Sequence, residues 1–363
     1  PEFPGALSVQ GTVKQAADGT TLDLTGRGPG GIDASVSGRL APGFGSGDLV
    51  IRGQAQAALG NAFIDPRAVS GGVSFDLRLN GPLALSSLNG SIGLENGRLA
   101  DPTLPFAFQN IAARANLAGG QARIDATVPV SSGGQAVITG SAGLAAPFAG
   151  DLAIDLQRLT LRDPQLYETT MNGALTVKGP LAGGAMIAGR IALTETELRV
   201  PSTGFGGAGG LPDLRHVNEP GPVKATRARA GLLDEDAGSS GVGGPSYGLD
   251  VTLSAPNRLF LRGRGLDAEL GGELRLLGTT AAVSPSGAFD LIRGRLDILG
   301  KRLDLTEARL EMQGELVPYI RVVATTENDG ITSGVQIEGE ATDPVVSFTS
   351  SPQLPQEEVL AQL

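Results

Sequence analysis

The sequence predicts an all-β fold, a long continuous sheet bent into a trough, and three observations predict it. Apolar and polar residues alternate with a period of two from one end of the chain to the other, the pattern of strands with one wet face and one apolar face. Glycine and proline, 55 and 23 of 363 residues, make up about a fifth of the chain against roughly 12% in average proteins, which argues against helical bundles. Hydrophobic residues are 40% of the chain and aromatic ones only 4%. The apolar content is therefore almost wholly Leu, Ile, Val and Ala, small aliphatic side chains rather than the rings that usually fill solid cores.

Taken in order, the strand-like runs begin with Ile32 to Leu40 and Leu49 to Ala57. The cleanest follows: Val73, Phe75, Leu77 and Leu79 alternate with Ser74, Asp76, Arg78 and Asn80 and end in the turn Gly81-Pro82. Further runs are Ile111 to Leu117, Ala122 to Val130, Leu152 to Leu156, Ala185 to Leu193, Leu249 to Leu253, Leu266 to Leu276, Leu296 to Leu310, Ile320 to Ala324 and Val335 to Gly339. One-sided alternation points to an antiparallel or meandering sheet, because the helices that cover a parallel sheet are missing from the pattern. Residues 201–246 break the period; they are rich in Gly and Pro, hold the only His, and read as a mobile insertion. At the C-terminal end Pro352, Pro355, Glu357 and Glu358 mark the start of a short helix, with Val359, Leu360 and Leu363 as its apolar face.

The expected organisation is a cloning remnant (1–3), a β-groove part (4–200), the insertion (201–246), a second β-groove part (247–349) and a truncated tail (350–363). At 10 to 13 residues per strand and turn, the chain holds on the order of 25 to 30 strands. A single sheet of that size exposes more apolar surface than a soluble protein tolerates, so it folds the face on itself, closes, or holds something greasy. Closure as an outer-membrane barrel predicts aromatic girdles that this chain lacks. A parallel β-helix predicts a constant repeat period, which is also missing. A trough remains, with a packed core as the bland alternative.

Chemistry-bearing motifs are few. There is no Cys and one His, His216, so thiolate sites and histidine acid/base chemistry find little support. Gly26-x-Gly28-x-x-Gly31 and Gly204-x-Gly206-x-x-Gly209 match a dinucleotide fingerprint in letters, but neither opens a helix after a strand. Asp234-Glu235-Asp236 lacks the downstream Glu of a calcium loop. The formal charge of −10, from 28 basic and 38 acidic residues, has the wrong sign for nucleic acid. The reading is a protein with no enzymatic activity, cofactor or metal.

Two C-terminal stretches carry a specific resemblance. Val251 to Leu274, with Ala255-Pro256-Asn257-Arg258 and Arg262-Gly263-Arg264-Gly265-Leu266 at its centre, and Phe289 to Leu305, with Leu291-Ile292-Arg293-Gly294-Arg295-Leu296, continuing through Pro318-Tyr319, Asp343-Pro344 and Ser351-Pro352-Gln353-Leu354-Pro355, resemble the C-terminal region of the TamB family, the inner-membrane component of the translocation and assembly module. About 110 residues carry the likeness; the part before Val200 agrees in style. The resemblance implies a sheet curled into a taco or tube with a hydrophobic groove, related to AsmA-like and bridge-like lipid transporters. It further implies a periplasmic location, an inner-membrane anchor in the full-length protein, a TamA-like partner of the Omp85 class and phospholipid transfer between membranes. The other role linked with the family is assistance to outer-membrane protein or autotransporter assembly by strand addition.

In such a groove phospholipid acyl chains are held by the apolar members of the alternating runs. These are Val73, Phe75, Leu77 and Leu79; Ile124 and Val128; Leu249, Val251 and Leu253; Leu274 and Leu276; Leu296 and Ile298; Ile320 and Val322; and Val335 and Ile337. Each is equally explicable as plain core.

Overall fold

A computed structural model describes residues 6–64, 67–102, 104, 106–200, 246–298, 300–328, 330–355 and 358–359. Strand accounts for 76% of it and helix for 4%, in one 19-stranded sheet that does not close into a barrel. The first twelve strands are β1 (Ser8–Ala16), β2 (Gly19–Gly28), β3 (Ile32–Leu40), β4 (Ser46–Gln56), β5 (Ala68–Pro82), β6 (Leu88–Ala100), β7 (Phe108–Ala118), β8 (Gln121–Pro129), β9 (Gln135–Gly143), β10 (Ala149–Asp163), β11 (Tyr167–Pro180) and β12 (Met186–Arg199). The remainder are β13 (Gly248–Gly263), β14 (Leu266–Thr279), β15 (Ala282–Ile298), β16 (Lys301–Gln313), β17 (Tyr319–Asn328), β18 (Ile331–Glu340) and β19 (Val345–Ser351).

The count of 25 to 30 strands is corrected to 19 among the described residues. The strands are longer than the estimate allowed, up to 17 residues in β15. The run Leu296 to Leu310 is also two strands rather than one, since the chain turns between Ile298 and Lys301 with Gly300 at φ +80. Neighbours in sequence pair antiparallel, as the one-sided alternation predicts, except that β12 and β13 run parallel, Met186 facing Gly248 and Arg199 facing Arg262. The expected insertion, residues 201–246, falls between these two strands. Together with His216, the 234–236 acidic cluster and the second glycine motif, it lies outside the described residues except for Ser246. The first glycine motif sits at the β2–β3 hairpin, where Gly30 and Gly31 have φ of +70 and +66. That is a strand-to-strand turn and not the strand-to-helix turn a dinucleotide requires.

What curls the sheet is a line of β-bulges. Register shifts fall at Leu156/Leu159 in β10, Thr170/Met171 in β11, Ala192/Thr196 in β12, Ala255/Leu259 in β13 and Glu269/Leu270 in β14, each lying against the next, with another at Leu305/Glu307 in β16. A bulge bends its strand and increases the local twist, so a row of them creases the sheet. Two of these bulges share a device. Arg158 (φ +44) and Arg258 (φ +61) adopt the left-handed conformation, and each backbone N–H donates to a side chain of the following strand: Arg158 to Asn172 Oδ1 at 2.7 Å and Arg258 to Glu269 Oε1 at 3.1 Å.

The curl tightens toward the C-terminal end. There β14 touches β16 across the intervening strand, and one cluster of buried side chains forms, including Leu270 (2% exposed), Leu303 (0%), Ala324 (0%) and Val335 (2%). Elsewhere, among the described residues, every substantial contact between elements joins neighbouring strands or sets a short 3-10 turn against β2 or β5. The tail ends in the expected helical turn, the N–H groups of Glu358 and Val359 both reaching the Pro355 carbonyl.

Candidate functional site

Because neighbouring residues of a strand face opposite sides, the register fixes which side chains share a face. One row starts at Phe75, which lies opposite Ile92, and continues through Ala115, Ile124, Gly140, Leu152, Val177 and Ile187 to Leu249. Beside it a second runs Val73, Leu94, Ala113, Ala126, Ile138, Ile154, Leu175, Gly189, Val251, Leu276. A third runs Val128, Ala136, Leu156, Gly173, Ile191, Leu253, Leu274. None of the three contains a charged or polar side chain. Residues far apart in sequence are thus brought into continuous apolar tracks that cross up to ten strands.

The other expected groove residues fall on the same face. Leu77 and Leu79 lie opposite Ile51 and Leu49 toward one rim. Leu296 lies opposite Leu303, and Ile298 packs against the buried cluster. Ile320 pairs with Leu310, Val322 with Ala308 and Ile337, and Val335 with Ala324.

Burial divides this face in two. From β2 to β12 most of it is half-exposed; Val73, Phe75, Leu77, Ile124 and Val128 are all in this state, and Leu79 at the rim is buried. The glycines Gly140, Gly173 and Gly189 interrupt the tracks and leave the face uneven. In the C-terminal third the face closes on itself: Val251 is 5% exposed, Leu274 8%, Leu296 7% and Val335 2%, while Leu253, Ile298, Val322 and Ile337 pack on their cluster. On the adjacent strands β11 and β12 two buried hydroxyls, Thr169 and Thr196, satisfy each other at 2.6 Å.

Sequence reasoning missed several members of the tracks, among them Ile138, Ile154, Leu175 and Ile187. Their strands alternate visibly, but the register that aligns them with Phe75 is set by turns and bulges. It also missed Leu270 and Leu303, the most enclosed Leu side chains of the closed end.

The opposite face is charged and cross-linked. Arg275 makes two hydrogen bonds to Asp250 at 2.8 and 2.9 Å, Arg309 meets Asp290 at 2.6 Å and Arg52 meets Asp76 at 3.0 Å. These are exposed pairs that hold solvent on the outside of the curl and add little individually to stability. The hydrogen bonds from Arg275 hold the Asp250 carboxyl below its ordinary pKa. Among the described residues no group of three or more His, Asp or Glu side chains is placed to hold a metal ion, and no helix is long and apolar enough to cross a membrane.

A creased sheet with one charged face and one continuous apolar face defines a protein of the hydrophobic-groove class. The chain belongs to the TamB family: the TamB C-terminal domain matches residues 122–363, about two thirds of its length. That match begins in β8, well upstream of the two C-terminal stretches in which the resemblance is visible by eye. No curated protein matches the chain. The family is a transport and assembly component of the Gram-negative envelope and works with an outer-membrane partner.

Proposed function

We propose that this chain is a stretch of a lipid conduit, a periplasmic groove that carries phospholipid between the inner and outer membranes of a Gram-negative envelope. The observation that carries the reading is the set of charge-free apolar tracks crossing the sheet, half-exposed over most of their course from β5 to β12. Acyl chains laid along them gain about 0.8 kcal/mol per buried methylene while head groups stay in water at the groove mouth. Nothing in such a lining distinguishes one acyl chain from another, so recognition is by apolar surface and not by head group. In the full-length protein an inner-membrane anchor and a TamA-like Omp85-class partner would hold the two ends. The test is native mass spectrometry of the purified chain after gentle extraction, with transfer of a fluorescent phospholipid between two vesicle populations. Retained phospholipid and protein-dependent transfer are expected; a lipid-free, inactive protein contradicts the reading.

A second reading is supported by the edges of the sheet. Among the described residues β19 pairs only with β18, and it exposes Val345 (69%) and Val346 (52%). Unpaired backbone flanked by apolar side chains is a template for adding a strand, the mode by which an assembly factor receives an unfolded outer-membrane segment. A Pro substituted for Ser347 on this edge weakens strand capture without touching lipid transfer, which separates the two.

A further inference from the structure

The inner face at the last strands is covered by the chain itself. After β19 ends at Ser351 the tail turns back over the sheet, and the Leu354 N–H donates to Ser350 Oγ at 2.8 Å. The helical turn on the Pro355 carbonyl then brings Val359, 1% exposed, into the cluster that holds Leu303 and Val335, with Leu354 packed beside it. Ser350 lies opposite Ser333 in the ladder, so both hydroxyls share the face over which the tail runs. The Ser333 residue is 2% exposed and, among the described residues, its hydroxyl meets no hydrogen-bond partner.

We propose that the segment bearing Leu354 and Val359 is an internal occupant of the groove, seated where acyl chains lie at the β16–β19 end and displaced when that end takes up phospholipid. The proposal rests on the lipid-groove reading. Leu and Val side chains and acyl methylenes present the same chemistry to the wall, so one replaces the other at little net change in buried apolar area. Among the described residues one hydrogen bond, from Leu354 to Ser350, ties the tail to the sheet, and exchange does not require breaking a strand pair. Tethering gives the tail a high effective concentration. It therefore seals the end when lipid is scarce, keeping a large apolar patch from water, and yields when lipid is abundant. Departure of the tail also frees the Ser333 hydroxyl to bond to water or to an ester oxygen.

The chain contains no cysteine, so Val359→Cys installs a single thiol at the seat. On the full chain the thiol is expected to react slowly with a maleimide in lipid-free buffer and roughly tenfold faster or more with vesicles of phosphatidylethanolamine and phosphatidylglycerol, the response of a two-state seat shifted by its competitor. Ala255→Cys, at a 1% exposed position of the same cluster in β13, stays protected in both conditions and reports that the fold is intact. Hydrogen exchange at the Val359 amide of the unsubstituted protein gives the same answer without a substitution. Phospholipid retained by each sample is measured in parallel. Fast labelling of Val359→Cys without lipid overturns the proposal, and so does continued protection while phospholipid is bound. Failure to retain any phospholipid overturns the groove reading beneath it.

Discussion

The contribution of a leucine on the inner face depends on which strand carries it. Leu270, 2% exposed in β14, is enclosed by the closed end, and Leu270→Ala is expected to cost about 2–5 kcal/mol. Leu77, half-exposed in β5, has less surface to lose, and Leu77→Ala is expected to cost about 1 kcal/mol. Chemical denaturation of both variants checks this; equal costs would mean that the face is packed throughout. On the outer side Glu269 is the residue to titrate. The hydrogen bond from Arg293 Nε at 2.7 Å, and secondarily the Arg258 backbone N–H, hold its carboxyl below the ordinary glutamate value. A carboxyl whose folded pKa is depressed adds stability above its unfolded pKa, and that stability is lost as pH falls through the folded one. Glu269→Gln is expected to lower stability at neutral pH and flatten its fall on acidification; an unchanged acid profile would contradict this role. Face assignment was legible residue by residue, since alternation alone places Val73, Phe75, Leu249 and Val335 on one side. The division into open and closed regions was not, because it depends on how far the sheet curls, and Val73 and Val335 look alike in sequence.

Among the elements, strand existence was legible and strand length and pairing were not. Leu296 to Leu310 reads as one alternating run, although its phase breaks at Leu299-Gly300-Lys301-Arg302, where β15 hands over to β16. The parallel pair of β12 and β13 was hidden for another reason: direction is decided by the connection, and alternation reads the same in both directions. Bulges leave only an ambiguous trace, since the runs Leu152 to Leu156 and Leu249 to Leu253 stop short of Arg158 and Arg258, and the end of a run looks the same whether the strand bulges or stops. Close strand approach leaves a clearer trace in glycine. Gly140 in β9 has φ +146, and a Cβ there meets the Asp151 carbonyl oxygen of β10 at 2.2 Å. Gly140→Ala is therefore expected to destabilise the chain by more than about 1 kcal/mol, because neither the backbone conformation nor the neighbouring strand accommodates it. A melting temperature equal to that of the parent would show that β9 and β10 are not held this closely.

For the whole molecule, 19 strands at about 4.8 Å each give a sheet roughly 90 Å along its curl. Under the proposed function, a surface of that length suits a bridge between membranes better than the binding of one small molecule. The two C-terminal motifs made the family legible; the continuity of the tracks from Phe75 to Leu249 was not, because it arises only when nine strands fall into register. The most direct measurement sets two substitutions on neighbouring residues of β5 against each other in an interbilayer phospholipid transfer assay. Phe75→Arg places a charge on the half-exposed apolar face, where the long side chain reaches water at the groove mouth and the fold survives. Ser74→Arg places the same charge on the outer face. A folded Phe75→Arg protein that no longer transfers phospholipid is expected, beside a Ser74→Arg protein that transfers like the parent. Undiminished transfer by folded Phe75→Arg, or equal loss in both, would contradict the groove reading.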